Sequence, residues 1–127
     1  MDNKKTCEDI ANDLDLIARG DMYIVQGEFR PYDTLSEEER ELVEDTEILA
    51  ATMCDYFEDV LGYDYIVSCD KEYEHVRALV AYGGPNIYVD TDSGKVELYW
   101  WGSTAEAPLS EAARRAVDEL FEELYCA

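Results

Sequence analysis

Apolar residues recur at helical spacing in three stretches of the chain. In residues 6–19, Ile10, Leu14 and Ile17 share one face, with Thr6 placed to cap the start and Gly20 the end. Residues 36–61 open on Ser36 and Glu39, three apart as a capping box requires. Leu42, Leu49, Met53, Phe57, Val60 and Leu61 then form an apolar stripe that stops at Gly62. Residues 110–125 follow Pro108 and line Ala113, Val117, Leu120, Phe121 and Leu124 along an inner face. These spacings predict three helices.

Between the second and third helices the period changes to two. Residues 63–68 and 75–82 read as strands, followed by a Gly83-Gly84-Pro85 turn. Residues 86–91 and 95–101 read as a hairpin around Asp92-Ser93-Gly94. In its second arm Val96, Leu98 and Trp100 fall on one face, and Glu97, Tyr99 and Trp101 on the other. Residues 22–29 are a candidate for one more short strand, and residues 26–35 for an ordered loop. Adjacent strands joined by tight turns imply an antiparallel sheet. The expected fold is α+β: about four antiparallel strands with three helices packed mainly on one face. The 127 residues suffice for a single domain, 1–127.

Charge changes this picture most. The chain has 31 acids against 10 bases, a net charge of -21, yet 47% of it is apolar and it holds ten tyrosines. That apolar content argues for a folded core rather than a disordered acidic chain. The acid excess opposes compaction by self-repulsion and repels bare nucleic acid and anionic membranes. No direct nucleic-acid or membrane binding is expected. The first residues carry no apolar run, so a cytoplasmic protein is expected. Cys7, Cys54, Cys69 and Cys126 form no CxxC pair and read as reduced, partly buried thiols.

Candidate chemistry is sparse. Asp90, Asp92 and Gly94 lack the later ligands of a calcium loop. Gly83-Gly84-Pro85 lacks the lysine and helix of a phosphate loop. His75 is the only histidine, with no recognisable nucleophile near it in sequence, and nothing singles out a catalytic carboxylate pair. No enzyme activity, cofactor or metal is expected.

The acids themselves are the candidate functional groups. In the second helix they are Glu37, Glu38, Glu39, Glu41, Glu44, Asp45 and Glu47, continued by Asp55, Glu58 and Asp59, and offset from Ser36 to Glu47 only by Arg40. Residues three or four apart on a helix are neighbours, so Glu37, Glu41, Glu44 and Asp45 would form a ribbon of charge. Duplex DNA carries one charge per roughly 1.7 Å of axis, and a carboxylate row suits the Lys and Arg sites that hold phosphates. The plainer reading is a solvated outer face whose first acids complement the helix dipole. In the third helix Arg114 and Arg115 are placed to pair with Asp118 and Glu119. Tyr99 and Trp101 are the candidate aromatic anchors, since consecutive strand residues face opposite ways.

The runs Gly83-Gly84-Pro85-Asn86-Ile87-Tyr88-Val89-Asp90-Thr91 and Glu97-Leu98-Tyr99-Trp100-Trp101-Gly102, with the acidic Asp118-Glu119-Leu120-Phe121-Glu122-Glu123-Leu124-Tyr125, resemble small accessory proteins of phages and conjugative elements. Acidic anti-CRISPR and antirestriction proteins are the natural comparison. The resemblance implies an inhibitor in the bacterial host cell. It would occupy the nucleic-acid site of a defence nuclease, a CRISPR effector or restriction enzyme. The resemblance transfers no residues by position, so the expected contacts are those read from charge and strand pattern: Glu37, Glu38, Glu41, Glu44, Asp45, Glu47, Asp55, Glu58, Asp59, Tyr99 and Trp101. The alternative expectation is an acidic adaptor that binds a basic protein without mimicking DNA.

Overall fold

The computed structural model describes residues 2–127. Helix α1 spans Asn3–Arg19, capped by the Asp2 carboxylate at Lys5 N–H and closed by Gly20 in the left-handed region. A hairpin of β1 (Met22–Val25) and β2 (Glu28–Pro31) follows, then a 3-10 turn over Tyr32–Thr34. Two short helices come next, α2 (Glu37–Glu44) and α3 (Met53–Tyr56). Strands β3 (Gly62–Val67), β4 (Tyr73–Ala81), β5 (Asn86–Asp90), β6 (Lys95–Trp100) and β7 (Ser103–Pro108) form one antiparallel sheet in sequence order. Helix α4 (Glu111–Cys126) ends the chain.

The α+β class is as the pattern predicts, but α1 starts at Asn3 under Asp2 rather than under a Thr6 cap, and three further elements differ. The helix expected over residues 36–61 is two short helices. Thr46 turns into the left-handed region, and the Glu47 and Ile48 amides close back on the Leu42 carbonyl. Residues 49–51 then run beside β1. Ala51 donates to the Met22 carbonyl at 2.8 Å, and Ile24 donates to that of Leu49 at 3.2 Å. These bonds satisfy backbone groups of β1 that a continuous helix would leave bare. A second capping box, Thr52 with Asp55, restarts the helix. The stretch expected as one strand and a loop over residues 22–35 is a hairpin, because Gln26 and Gly27 both take positive φ and turn the chain at once.

The main sheet has five strands rather than about four. The extra one, β7, is built from Ser, Thr, Ala, Glu and Pro and has little intrinsic strand preference. Its register with β6 places Ala105 opposite Leu98 and Ala107 opposite Val96. Small residues there leave room for α1, which packs against β7 and β6. Val76, Ala78, Val89, Val96, Leu98 and Ala107 make a buried row on the helix-covered face. They meet Cys7, Leu14 and Ile17 of α1 and Ala113, Val117 and Phe121 of α4. Ser110 ties the two helices: its hydroxyl donates to Asp15 and accepts from Ala113 N–H at the start of α4.

A line of aromatic rings runs through one side of this core. Phe29 touches Tyr56, Tyr56 touches Phe57, Phe57 touches Phe121, Phe121 touches Tyr63, and Tyr63 touches Tyr65, each pair 5–6 Å between centroids. Burial, with the nearby Asp13 charge, pushes the Tyr56 phenol up to about 12. A raised phenol pKa means that the fold favours the neutral form. The corresponding stability is full below about pH 10 and is lost as pH rises through about 12. Ultraviolet titration should therefore show Tyr56 ionising late and together with unfolding. A Tyr56→Phe variant should lose that alkaline step.

Candidate functional site

The expected site residues divide into three groups. The first is α2. None of its eight residues is fully buried, and only Glu39, Arg40 and Val43 are half-buried. Glu37, Glu38, Glu41 and Glu44, with Asp45 and Glu47 beyond its end, are all exposed. Among the described residues none of these six takes part in an ion pair. Arg40, the helix's own base, is turned away from them: it lies over the Tyr32 ring at 4.9 Å and donates to the Tyr32 and Asp33 carbonyls. Glu39 is consumed by the capping box and by Arg30 at 3.6 Å, and its carboxyl is held low chiefly by the Ser36 amide. Glu44 and Asp45 sit at the negative end of the helix dipole, so local helix stability does not explain them.

The second group is separated from the first by the break in the chain. Asp55 faces its own helix start, accepting from the Thr52 amide and hydroxyl at 2.9 and 3.0 Å, and is not free for a partner. Glu58 and Asp59 are exposed in the turn between α3 and β3. The acids expected along one helix from Glu37 to Asp59 thus fall into two sets: Glu37 to Glu47, which holds the expected ribbon of Glu37, Glu41, Glu44 and Asp45, and the separate pair Glu58 and Asp59.

The third group is aromatic. Both Tyr99 and Trp101 are exposed, and Trp101 is 85% exposed. It is not in the strand expected for it. Trp101 and Gly102 form the two-residue turn between β6 and β7, with φ of 50° and 77°. This is the type I′ hairpin geometry that favours Asn or Gly at both positions. A bulky side chain in the left-handed region costs about 1–2 kcal/mol. Trp101 is therefore held out at a strained hairpin tip, touching only Trp100 among the rings, at 5.5 Å. Trp101→Asn should stabilise the fold by about 0.5–1 kcal/mol in urea unfolding, the lost ring contact offsetting part of the relief.

The open face of the sheet carries charges of a different kind. Arg77 stacks on Tyr88 at 3.6 Å and reaches Asp90 at 3.4 Å and Glu97 at 3.5 Å. Lys95 meets Glu106 at 3.0 Å. Acids there have bases of their own, in contrast to those of α2.

One polar cluster was not visible in the spacing. Asp118 of α4 accepts from the Thr91 hydroxyl at 2.6 Å and the Tyr73 hydroxyl at 2.7 Å, and lies 3.2 Å from His75 Nδ1. Thr91 is fully buried and also takes the Val76 amide, so the cluster clamps α4 to β4 and β5. Burial and the Asp118 contact push the Tyr73 phenol far up. The expected pairing of Arg114 and Arg115 with Asp118 and Glu119 gives way to better acceptors. Arg114 donates to the Thr91 and Asp92 carbonyls, and Arg115 faces Glu111 at 3.5 Å. The thiols also differ from expectation: Cys7 is buried, and Cys54, Cys69 and Cys126 are exposed.

Among the described residues no group of three His, Cys, Asp or Glu side chains is arranged to hold a metal ion, and no helix is long and apolar enough to cross a membrane. No family model, curated protein or solved structure matches this chain.

Proposed function

We propose that this protein binds the nucleic-acid site of a basic partner, such as a defence nuclease of the CRISPR or restriction type, with the carboxylates of α2 standing where phosphates would lie. One observation carries this reading: six exposed acids, Glu37, Glu38, Glu41 and Glu44 on α2 with Asp45 and Glu47 just beyond its end, take part in no ion pair among the described residues. Acids that serve the fold are paired or cap a helix, as Glu39, Asp55, Asp90 and Asp118 do. Acids free of such duties are available to a partner's Lys and Arg, and opposite fields would speed association. Tyr99 and Trp101 supply the apolar anchor.

The test is the variant E37K/E41K/E44K/D45K against a purified restriction or CRISPR nuclease, with duplex DNA as competitor. The native chain should inhibit and be displaced by DNA. The variant should lose binding by roughly a hundredfold or more, as expected when several charge pairs become repulsive. Its unfolding midpoint should stay the same or rise, because self-repulsion falls. Unchanged inhibition by the variant would remove α2 as the contact.

A second reading draws on the strained tip at Trp101: an adaptor that grips a basic protein mainly through this ring. In that case Trp101→Ala abolishes binding and salt has little effect, whereas a carboxylate contact weakens as salt screens it.

A further inference from the structure

The main sheet ends in two strands of different character. β7 is packed against α1 and finishes in Pro108, which has no amide to offer. β3 also meets a helix on its inner face, where Tyr63 and Tyr65 touch Phe121 and Tyr125 of α4, but it has no such proline. It contains no Lys and no Pro, and its irregularity falls only at its far end, between Ile66 and Val67. It pairs with β4 on one side alone. Alternate amides and carbonyls of an antiparallel edge strand point away from its partner. Among the described residues nothing else bonds to the backbone of residues 62–67 on that side. Edges of this kind are normally blunted, because an extended chain can add to them.

The side chains along this edge fit such an addition. Tyr63 is 42% and Val67 39% exposed, and Leu61 just before the strand is 58% exposed. Tyr63 and Tyr65 share the row of Ala78 and Val76, while Asp64 stands on the opposite face across from Arg77. Charge decides what can pair here. Glu58 and Asp59 precede the strand, Asp70 and Glu72 follow it, and Lys71 is the one base between residues 58 and 72. A second copy, pairing antiparallel about a two-fold axis, would set Glu58 and Asp59 against Asp70 and Glu72. We infer that β3 is a strand-addition site for an extended basic segment of a partner protein, with apolar and basic residues alternating along it. The apolar ones would lie beside Tyr63 and Val67, and the basic ones on the Asp64 side. Backbone bonds would give affinity and the alternation would give selectivity.

This surface is separate from α2, and the test keeps the two apart. The probe is a short capped peptide of alternating Lys and Val, added to the full chain and followed by titration calorimetry and residue-level hydrogen exchange. Alternate amides of β3 should exchange more slowly with peptide present. Two peptides N-methylated on opposite sets of alternate residues keep the same charge. One should bind roughly tenfold or more weaker than the parent, and the other should bind like it. The E37K/E41K/E44K/D45K variant should retain both the binding and the β3 protection. Each of four results would overturn the inference: no detectable binding, equal binding of both methylated peptides, protection at α2 in place of β3, or loss of binding in the α2 variant. Protection of β3 without peptide, at the sedimentation mass of a dimer, would also overturn it by making a second copy the occupant.

Discussion

Phe121→Ala should cost about 3–5 kcal/mol, the range for removing a fully buried phenyl ring. Phe121 is wholly inaccessible, and its ring meets Phe57 edge-on at 5.2 Å and Tyr63 at 5.1 Å. It stands where α3, β3 and α4 converge, midway along the line of rings from Phe29 to Tyr65. Truncation would open a cavity bounded by side chains from three elements, and none of them is free to collapse alone. Phe57 is held by the capped turn of α3, and Tyr63 by the register with β4. Urea unfolding should show a lower midpoint with an unchanged slope, because the surface exposed on unfolding hardly changes. Phe121→Leu should recover most of the loss. A penalty below about 1 kcal/mol would mean that this side of the core is fluid rather than packed.

The second large effect is expected at Asp118. Its carboxylate serves the Thr91 and Tyr73 hydroxyls and His75. Asp118→Ala would leave the half-buried Tyr73 phenol without its acceptor and the fully buried Thr91 hydroxyl with only the longer Val76 carbonyl contact at 3.3 Å. An orphaned buried donor costs about 1–3 kcal/mol, and the weakened Thr91 contact adds to it, so the variant should lose about 2–3 kcal/mol in total. Asp118→Asn should fall between, since an amide oxygen can accept from one hydroxyl but its NH2 group cannot replace the second acceptor. The late ionisation of Tyr73, caused first by burial and then by Asp118, should be relieved in part in both variants if they fold, because the adjacent negative charge is gone while the burial stays. Denaturant unfolding and phenolate titration together check both statements.

These two positions also show what could be read along the chain and what could not. Phe121 was legible, since its place at helical spacing with Ala113 and Val117 marks an inner face. So were Ser110, Gly20 and the Ser36–Glu39 box as helix boundaries, because capping chemistry is local. Asp118 was not legible: its partners Tyr73, His75 and Thr91 lie 27 to 45 residues away, and only the packing of α4 on the sheet brings them together. The break after α2 had a local signal, Thr52-Met53-Cys54-Asp55, the same box as Ser36–Glu39 with Asp for Glu. The apolar stripe through Leu42, Leu49 and Met53 masked it by continuing at helical period across the turn. In the structure Met53 is buried, while Leu42 and Leu49 are exposed. Strand β7 was hidden for the opposite reason: its inward residues are alanines, too small to show a period-two pattern. Of the candidate site, the acids of α2 follow directly from the sequence. Tyr99 stands on the strand face the alternation gave it, whereas the place of Trp101 at the hairpin tip depended on a turn one residue earlier than the strand pattern implied.

That the exposed acids of α2 take no part in packing separates two tasks that most helices perform together. Its attachment rests on Ser36, Glu39 and Arg40, which meet only the adjoining turn and hairpin. Of the remaining positions only Val43 is half-buried, and the acids answer to no packing constraint. Mutation can therefore redraw the pattern of charge on this helix, residue by residue, without asking the core to adapt. A protein engaged in a contest with a changing target would keep its scaffold constant while this short segment diversified.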